Sequence, residues 1–182
     1  MLNKRSSLLF IAITIVFLIK LMPAILTQEP FSIDAWPLIS QVVKLLNNPS
    51  TPIFNDLVFD KYNNHWPGSI LLSAMTSLVL GIEPIKLMSF LSPIVNGLGL
   101  LILAVLIKKF VKDSLIPYFA VLLTGLTPSL VVFTSGVTKE TFTHPLLFTA
   151  IYVSFVSNSL LLLTLTLISL TIYHHLTSLI YL

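Results

Sequence analysis

Gly68-Ser-Ile-Leu-Leu-Ser-Ala-Met-Thr-Ser-Leu-Val-Leu80 is the stretch on which the layout of the whole chain turns. It is apolar apart from hydroxyls, it follows Pro67, and Gly81 closes it. Counted from Pro67 it has about 14 residues, short of the ~20 that a helix needs to span a bilayer. If it crosses, everything downstream is inverted. If it enters the membrane surface without crossing, as a re-entrant or interfacial helix, the downstream order is kept. The flanking charge decides. Ile85–Ile107 is a good span, and Lys108-Lys109-Phe110-Val111-Lys112 follows it directly. Clustered lysines mark a cytoplasmic end. Segment 85–107 therefore runs from outside to inside, and 68–80 does not cross.

Working outward from there, a first span is expected at Leu8–Leu26, interrupted only by Lys20. Lys4 and Arg5 precede it and put the N-terminus in the cytoplasm. Lys20, near the outer end, is expected to snorkel to the interface. A cleaved signal peptide is the other reading of this start, but the run is long and no small-x-small site ends it. The loop 27–84 then lies outside. Within it, Asp34–Leu46 places Trp36, Ile39, Val43 and Leu46 at helical spacing, as an amphipathic helix on the membrane surface does. Asn47-Asn48-Pro49 breaks that helix.

After the lysine cluster, Leu115–Thr134 returns outward, with Pro128 expected to kink it. Ser135–Pro145 is an external loop, 141–156 goes back in, Ser157-Asn158-Ser159 turns, and 160–173 comes out to His174-His175. Leu176–Leu182 reads as the start of another helix, so the chain reads as incomplete at its C-terminus. The expectation is an all-α, polytopic transmembrane protein in the cell membrane. It has about five spans (8–26, 85–107, 115–134, 141–156, 160–173) and interfacial helices at about 34–46 and 68–80.

Composition agrees. Apolar residues make up 55% of the 182 residues and charged residues 9%, where a soluble domain carries about 25% charge. Such a chain cannot cover a water-facing surface, so lipid is its expected partner. Without cysteine there are no disulfides, thiolate metal sites or cysteine nucleophiles. The basic residues are dispersed and form no nucleic-acid patch.

On this layout only Asp113 of the acidic residues is cytoplasmic; Glu29, Asp34, Asp56, Asp60, Glu83 and Glu140 face outside. Four groups converge on that face: Asp34 and its neighbours, the run Tyr62–Gly68, Lys139-Glu140, and His174-His175. A carboxylate at the membrane boundary can act as a general base on a hydroxyl or hold a divalent cation through oxygen. A lysine beside it can neutralise a phosphate leaving group. Each has a plainer reading. Asp34 directly precedes a helix and suits an N-cap. Lys139-Glu140 suits an exposed loop pair, and His174-His175 the headgroup boundary. Asp56 and Asp60 suit loop residues, and Tyr62 and Trp66 an aromatic belt.

Several short stretches carry a resemblance: Pro30-Phe-Ser-Ile-Asp34, Tyr62-Asn-Asn-His65-Trp66-Pro67-Gly68, Leu80-Gly81, Lys108-Lys109, Thr127-Pro128, Thr138-Lys139-Glu140 and Tyr173-His-His-Leu-Thr-Ser178. In this order the chain resembles the N-terminal half of the GT-C polytopic glycosyltransferases, which include protein mannosyltransferases, aminoarabinose transferases and the catalytic subunit of oligosaccharyltransferase. The resemblance implies sugar transfer from a polyprenyl-phosphate donor to a protein or glycan acceptor on the extracytoplasmic face. It implies Asp34 as catalytic base or metal ligand, Glu140 beside the same cavity, and Lys139 and His65 as contacts to the donor phosphate. Tyr62, Trp66, His174 and His175 complete the expected substrate-binding set.

The chain departs from the family in two respects. Family members have more spans, so a partner chain completing the fold is one reading. The second external loop carries one acid where the oligosaccharyltransferase type has a pair, so no metal ligand is carried over, although a divalent cation remains open. The rival expectation is a non-catalytic membrane component, a transporter piece or an assembly partner.

Overall fold

The computed structural model describes residues 4–113 and 115–174, and the described residues are helical, with no strand among them. The helices are α1 (Lys4–Thr27), α2 (Ala35–Asn47), α3 (Gly68–Leu80), α4 (Pro84–Phe110), α5 (Ile116–Leu126), α6 (Pro128–Ser135), α7 (Lys139–Tyr152) and α8 (Leu160–Tyr173). Two of them, over Ser7–Thr27 and Pro84–Phe110, are long and apolar enough to cross a membrane.

Side-chain contacts give the direction of each long element. Ala12 and Ala104 share one buried cluster, and Lys20 bonds Asn96, so α1 and α4 are antiparallel. Val16 lies where a Cβ on Gly125 would be 2.5 Å from it, and Lys20 also bonds Thr134; α5 and α6 thus run parallel to α1. Pro145 lies against Gly99 and Phe155 meets Phe110 edge-on, so α7 follows α4. Tyr173 stacks on Phe142, which turns α8 back antiparallel to α7.

The result is a bundle with two different ends. One carries the exposed lysines 108, 109 and 112. The other gathers Leu38, Ile39, Ile70, Ala74, Met88, Val137 and Phe142 into the main hydrophobic cluster, with Tyr173 packed against it. α2 and α3 lie at this second end, against the start of α4 and the start of α7. α3 stops at Gly81, whose φ of +64° is a left-handed conformation that glycine adopts without steric cost.

The outward faces are apolar: Phe10, Leu18, Leu98, Val105, Leu123, Leu161 and Leu165 are all exposed. A surface helix in water presents polar residues there. The buried face of α4 instead carries Ser89, Ser92, Asn96 and Gly97, the small and weakly polar residues that let helices approach closely in lipid.

Two expectations need correction. Leu115–Thr134 is not one kinked helix but two, α5 and α6, separated at Thr127 with ψ 122°. Pro128 is the cause, because a proline drives the residue before it into extended conformation. Lys20 does not snorkel. It is 2% exposed, with its ammonium donating to Asn96 Oδ1 and Thr134 Oγ1, both at 2.5 Å. Bonded acceptors inside the bundle outweigh a route to the interface.

Candidate functional site

The site is assembled where the segment after α1 meets the α6–α7 junction. Val137 N–H donates to the Phe31 carbonyl at 3.3 Å. Gly136 lies so close that a Cβ there would be 2.7 Å from that same oxygen and 2.9 Å from Ser32 Cβ. The Gly136 carbonyl is held by the hydroxyls of Ser92 at 2.7 Å and Thr141 at 3.1 Å. The Phe31–Ser32 segment is thereby fixed to the start of α7. Ser32 is a non-glycine residue at φ +96°, and its hydroxyl accepts the Asp34 N–H at 3.2 Å. That tight turn determines where Asp34 emerges.

Asp34 occupies the position before α2 but makes no side-chain capping bond. Its carboxylate is therefore not occupied by the capping role that its sequence position suggested. Thr138 is the residue that caps a helix here: its Oγ1 accepts the Thr141 N–H at 3.3 Å, which starts α7 and puts Lys139 and Glu140 in its first turn. A carboxylate in a first turn is favoured by the helix dipole.

Asp34, Tyr62, Lys139, Glu140 and His174 line one cavity of about 290 Å³, together with Asn63 and Thr138. They come from four segments far apart in the chain. Lys139 is buried, 6% exposed, and its ammonium has no hydrogen-bond partner among the described residues. It sits 4.1 Å from the centroid of the Tyr62 ring, a cation–π contact. Burial holds its pKa below the ordinary lysine value, while Asp60 and Glu140 pull it back up. His174 is buried, with Nε2 3.5 Å from Glu140 Oε1.

The loop acids have structural roles. Asp60 accepts from the backbone N–H of Tyr62 at 3.1 Å and of Asn63 at 2.6 Å, and from the Asn63 side-chain amide. It shapes the turn that presents Tyr62 to Lys139, just after Lys61 at φ +65°. Asp56 takes Asn64 Nδ2 at 2.8 Å.

The other expected contacts lie elsewhere. His65 pairs with Asp56 at 3.2 Å and stacks on Phe54. With Trp66 it lines a separate apolar cavity beside Leu71 and Ile172. Neither His65 nor Trp66 lines the Lys139 cavity, so the structure does not bring the expected phosphate contact His65 or the expected substrate contact Trp66 together with Lys139. The short helical turn Asn63–His65 is the reason: it sends Tyr62 and His65 to different faces. His175 lies outside the described residues. His144 lines an interior pocket with Lys20 rather than the outer cavity.

Thr138 and Asn63 lie inside short motifs legible in the sequence but carried no role of their own there, and Gly136 carried none. The Gly136-Val-Thr138 string ahead of Lys139 is a helix-start signal of the ordinary kind. Among the described residues no group of three His, Asp or Glu side chains is gathered as a metal site; Asp34 and Glu140 are the carboxylates this cavity offers to a cation. No protein-family model matches the chain, and neither a curated protein nor a solved structure matches it.

Proposed function

We propose that the chain is a polytopic membrane glycosyltransferase of GT-C type, or the N-terminal part of one. On this reading it moves a sugar from a polyprenyl-phosphate donor to a protein or glycan acceptor at the extracytoplasmic face. The observation that carries the reading is the Lys139 ammonium, buried and without a hydrogen bond, in a cavity that Asp34 and Glu140 also line. A buried ammonium that makes no hydrogen bond is costly, and an anionic ligand that accepts from it would offset that cost. The lipid-linked phosphate is the anion that the resemblance supplies.

Asp34 takes the proton from the acceptor hydroxyl. The acceptor oxygen then bonds to the anomeric carbon as the bond from that carbon to the phosphate oxygen breaks. Lys139 neutralises the charge that returns to the phosphate. Glu140, held beside His174, orients the acceptor. In the membrane, α1, α4, α5 with α6, α7 and α8 form five crossings with the N-terminus cytoplasmic. Their alternating directions support this, as does the separation of the lysine end from the cavity end.

Asp34→Asn tests the assignment. Transfer from a labelled polyprenyl-phosphate sugar should be abolished while membrane insertion is unchanged, and full activity in a well-expressed variant would refute it. The rival reading, a non-catalytic component or transporter piece, is favoured by one observation: the polar cluster around Lys20 inside the bundle, where transport sites lie. Failure of the labelled donor to bind at all would favour that rival.

A further inference from the structure

A second buried lysine sits in a different chemical setting. The Lys20 ammonium is enclosed by α1, α4, α6 and α7. Its two bonded acceptors, Asn96 Oδ1 and Thr134 Oγ1, are both neutral. The adjoining pocket, of about 40 Å³, is lined by Lys20, Asn96, Thr124, Thr134 and His144, and no carboxylate lines it.

The remaining hydrogen-bonding capacity of this pocket is donor-rich. An ammonium has three N–H groups, and the two bonds leave one over. With its oxygen taken by Lys20, the Asn96 amide has its Nδ2 hydrogens to give. Thr124 contributes a hydroxyl and His144 a ring N–H. Donors in surplus around an uncompensated cation define an anion site. The volume limits the ion. A water molecule needs about 10–15 Å³ of such space, so the pocket suits a small ion that fills one to a few water-sized positions.

We infer that this interior pocket binds one small monovalent anion of the halide class, which supplies the counter-charge that Lys20 lacks. The anion ties α1, α4 and α5 together through Lys20, Asn96 and Thr124. The inference is independent of the glycosyltransferase reading, because none of these residues lines the outer cavity.

The probe is chloride. The full chain, purified in detergent, is unfolded thermally at constant ionic strength with chloride replacing gluconate, and chloride binding is followed by ³⁵Cl line broadening. Chloride should raise Tm saturably, by about 5–10 °C at a hundredfold excess over its Kd. Bromide should act likewise and acetate should not. Lys20→Met should abolish both the shift and the excess broadening, whereas Lys139→Met should keep them. If Lys20→Met does not fold, Thr124→Val should weaken the broadening several-fold. No saturable chloride effect in the unsubstituted chain would overturn the site. So would an equal effect of acetate, or a response that survives in Lys20→Met or in full in Thr124→Val.

Discussion

Gly136→Ala should separate the two halves of the candidate site. The added Cβ would lie 2.7 Å from the Phe31 carbonyl oxygen and 2.9 Å from Ser32 Cβ, against about 3.4 Å for ordinary contact. The neighbour at fault is backbone, so the Phe31–Ser32 segment must retreat by about 0.7 Å. Retreat stretches the Val137 N–H bond to Phe31, already 3.3 Å, and carries Asp34 away from Lys139 and Glu140. Overpacking of this kind costs about 1–3 kcal/mol, and a misplacement near 1 Å at a reacting group can lower a rate about a hundredfold. Gly81→Ala is the matched control. Nothing lies within 4 Å of its added Cβ, but its φ of +64° makes a side chain there strained, at a cost of roughly 1 kcal/mol. Both variants should lose a few degrees of Tm by thermal unfolding. Only Gly136→Ala should lose transfer activity from a labelled polyprenyl-phosphate sugar, by about 10–100-fold. Equal activity in the two variants, both folded, would refute the idea that this contact aims Asp34.

Lys139→Met should bind the labelled donor at least tenfold more weakly, yet show a Tm equal to or above that of the unsubstituted chain, because it removes a buried ammonium that lacks a hydrogen bond. A clear loss of stability would mean the lysine is structural. Thr138→Ala should lower stability by about 1 kcal/mol through loss of the α7 cap, read by thermal unfolding. The loop acids set a pH limit. The Asn64 bond, with His65 nearby, holds the Asp56 carboxyl below the usual range. For Asp60, burial raises the pKa, but the bonds from Asn63 and Tyr62 outweigh it and leave it lowered. Carboxyls with depressed folded pKa values contribute stability that is complete above the unfolded value near 4 and is lost as pH falls through the folded one. Tm should therefore be level from about pH 7 to 5 as far as these groups act, and should fall below about pH 4. Asp60→Asn should blunt that fall, and an unchanged acid profile would refute the assignment.

The all-helical class was legible in composition and in the long apolar runs, because a chain with so little charge must satisfy its backbone internally. The turn at Asn158 and the glycine stop at 81 were legible as local chemistry. Other features were not. That Asp34 leaves its capping position unused depends on side-chain geometry. That His65 turns toward Asp56 and away from Lys139 depends on a three-residue turn held by Asp60.

The amino-acid sequence alone carried the all-helical class and the approximate place of most helices, though not the break at Thr127, since periodicity, charge and proline act over a few residues. Only the tertiary structure decided which polar groups meet. It put Asp34 beside Lys139 and Glu140 through a glycine contact with Phe31, and it drew Lys20 inward to partners 76 and 114 residues away. Burial and hydrogen bonding between distant segments are properties of packing, and no local pattern encodes them.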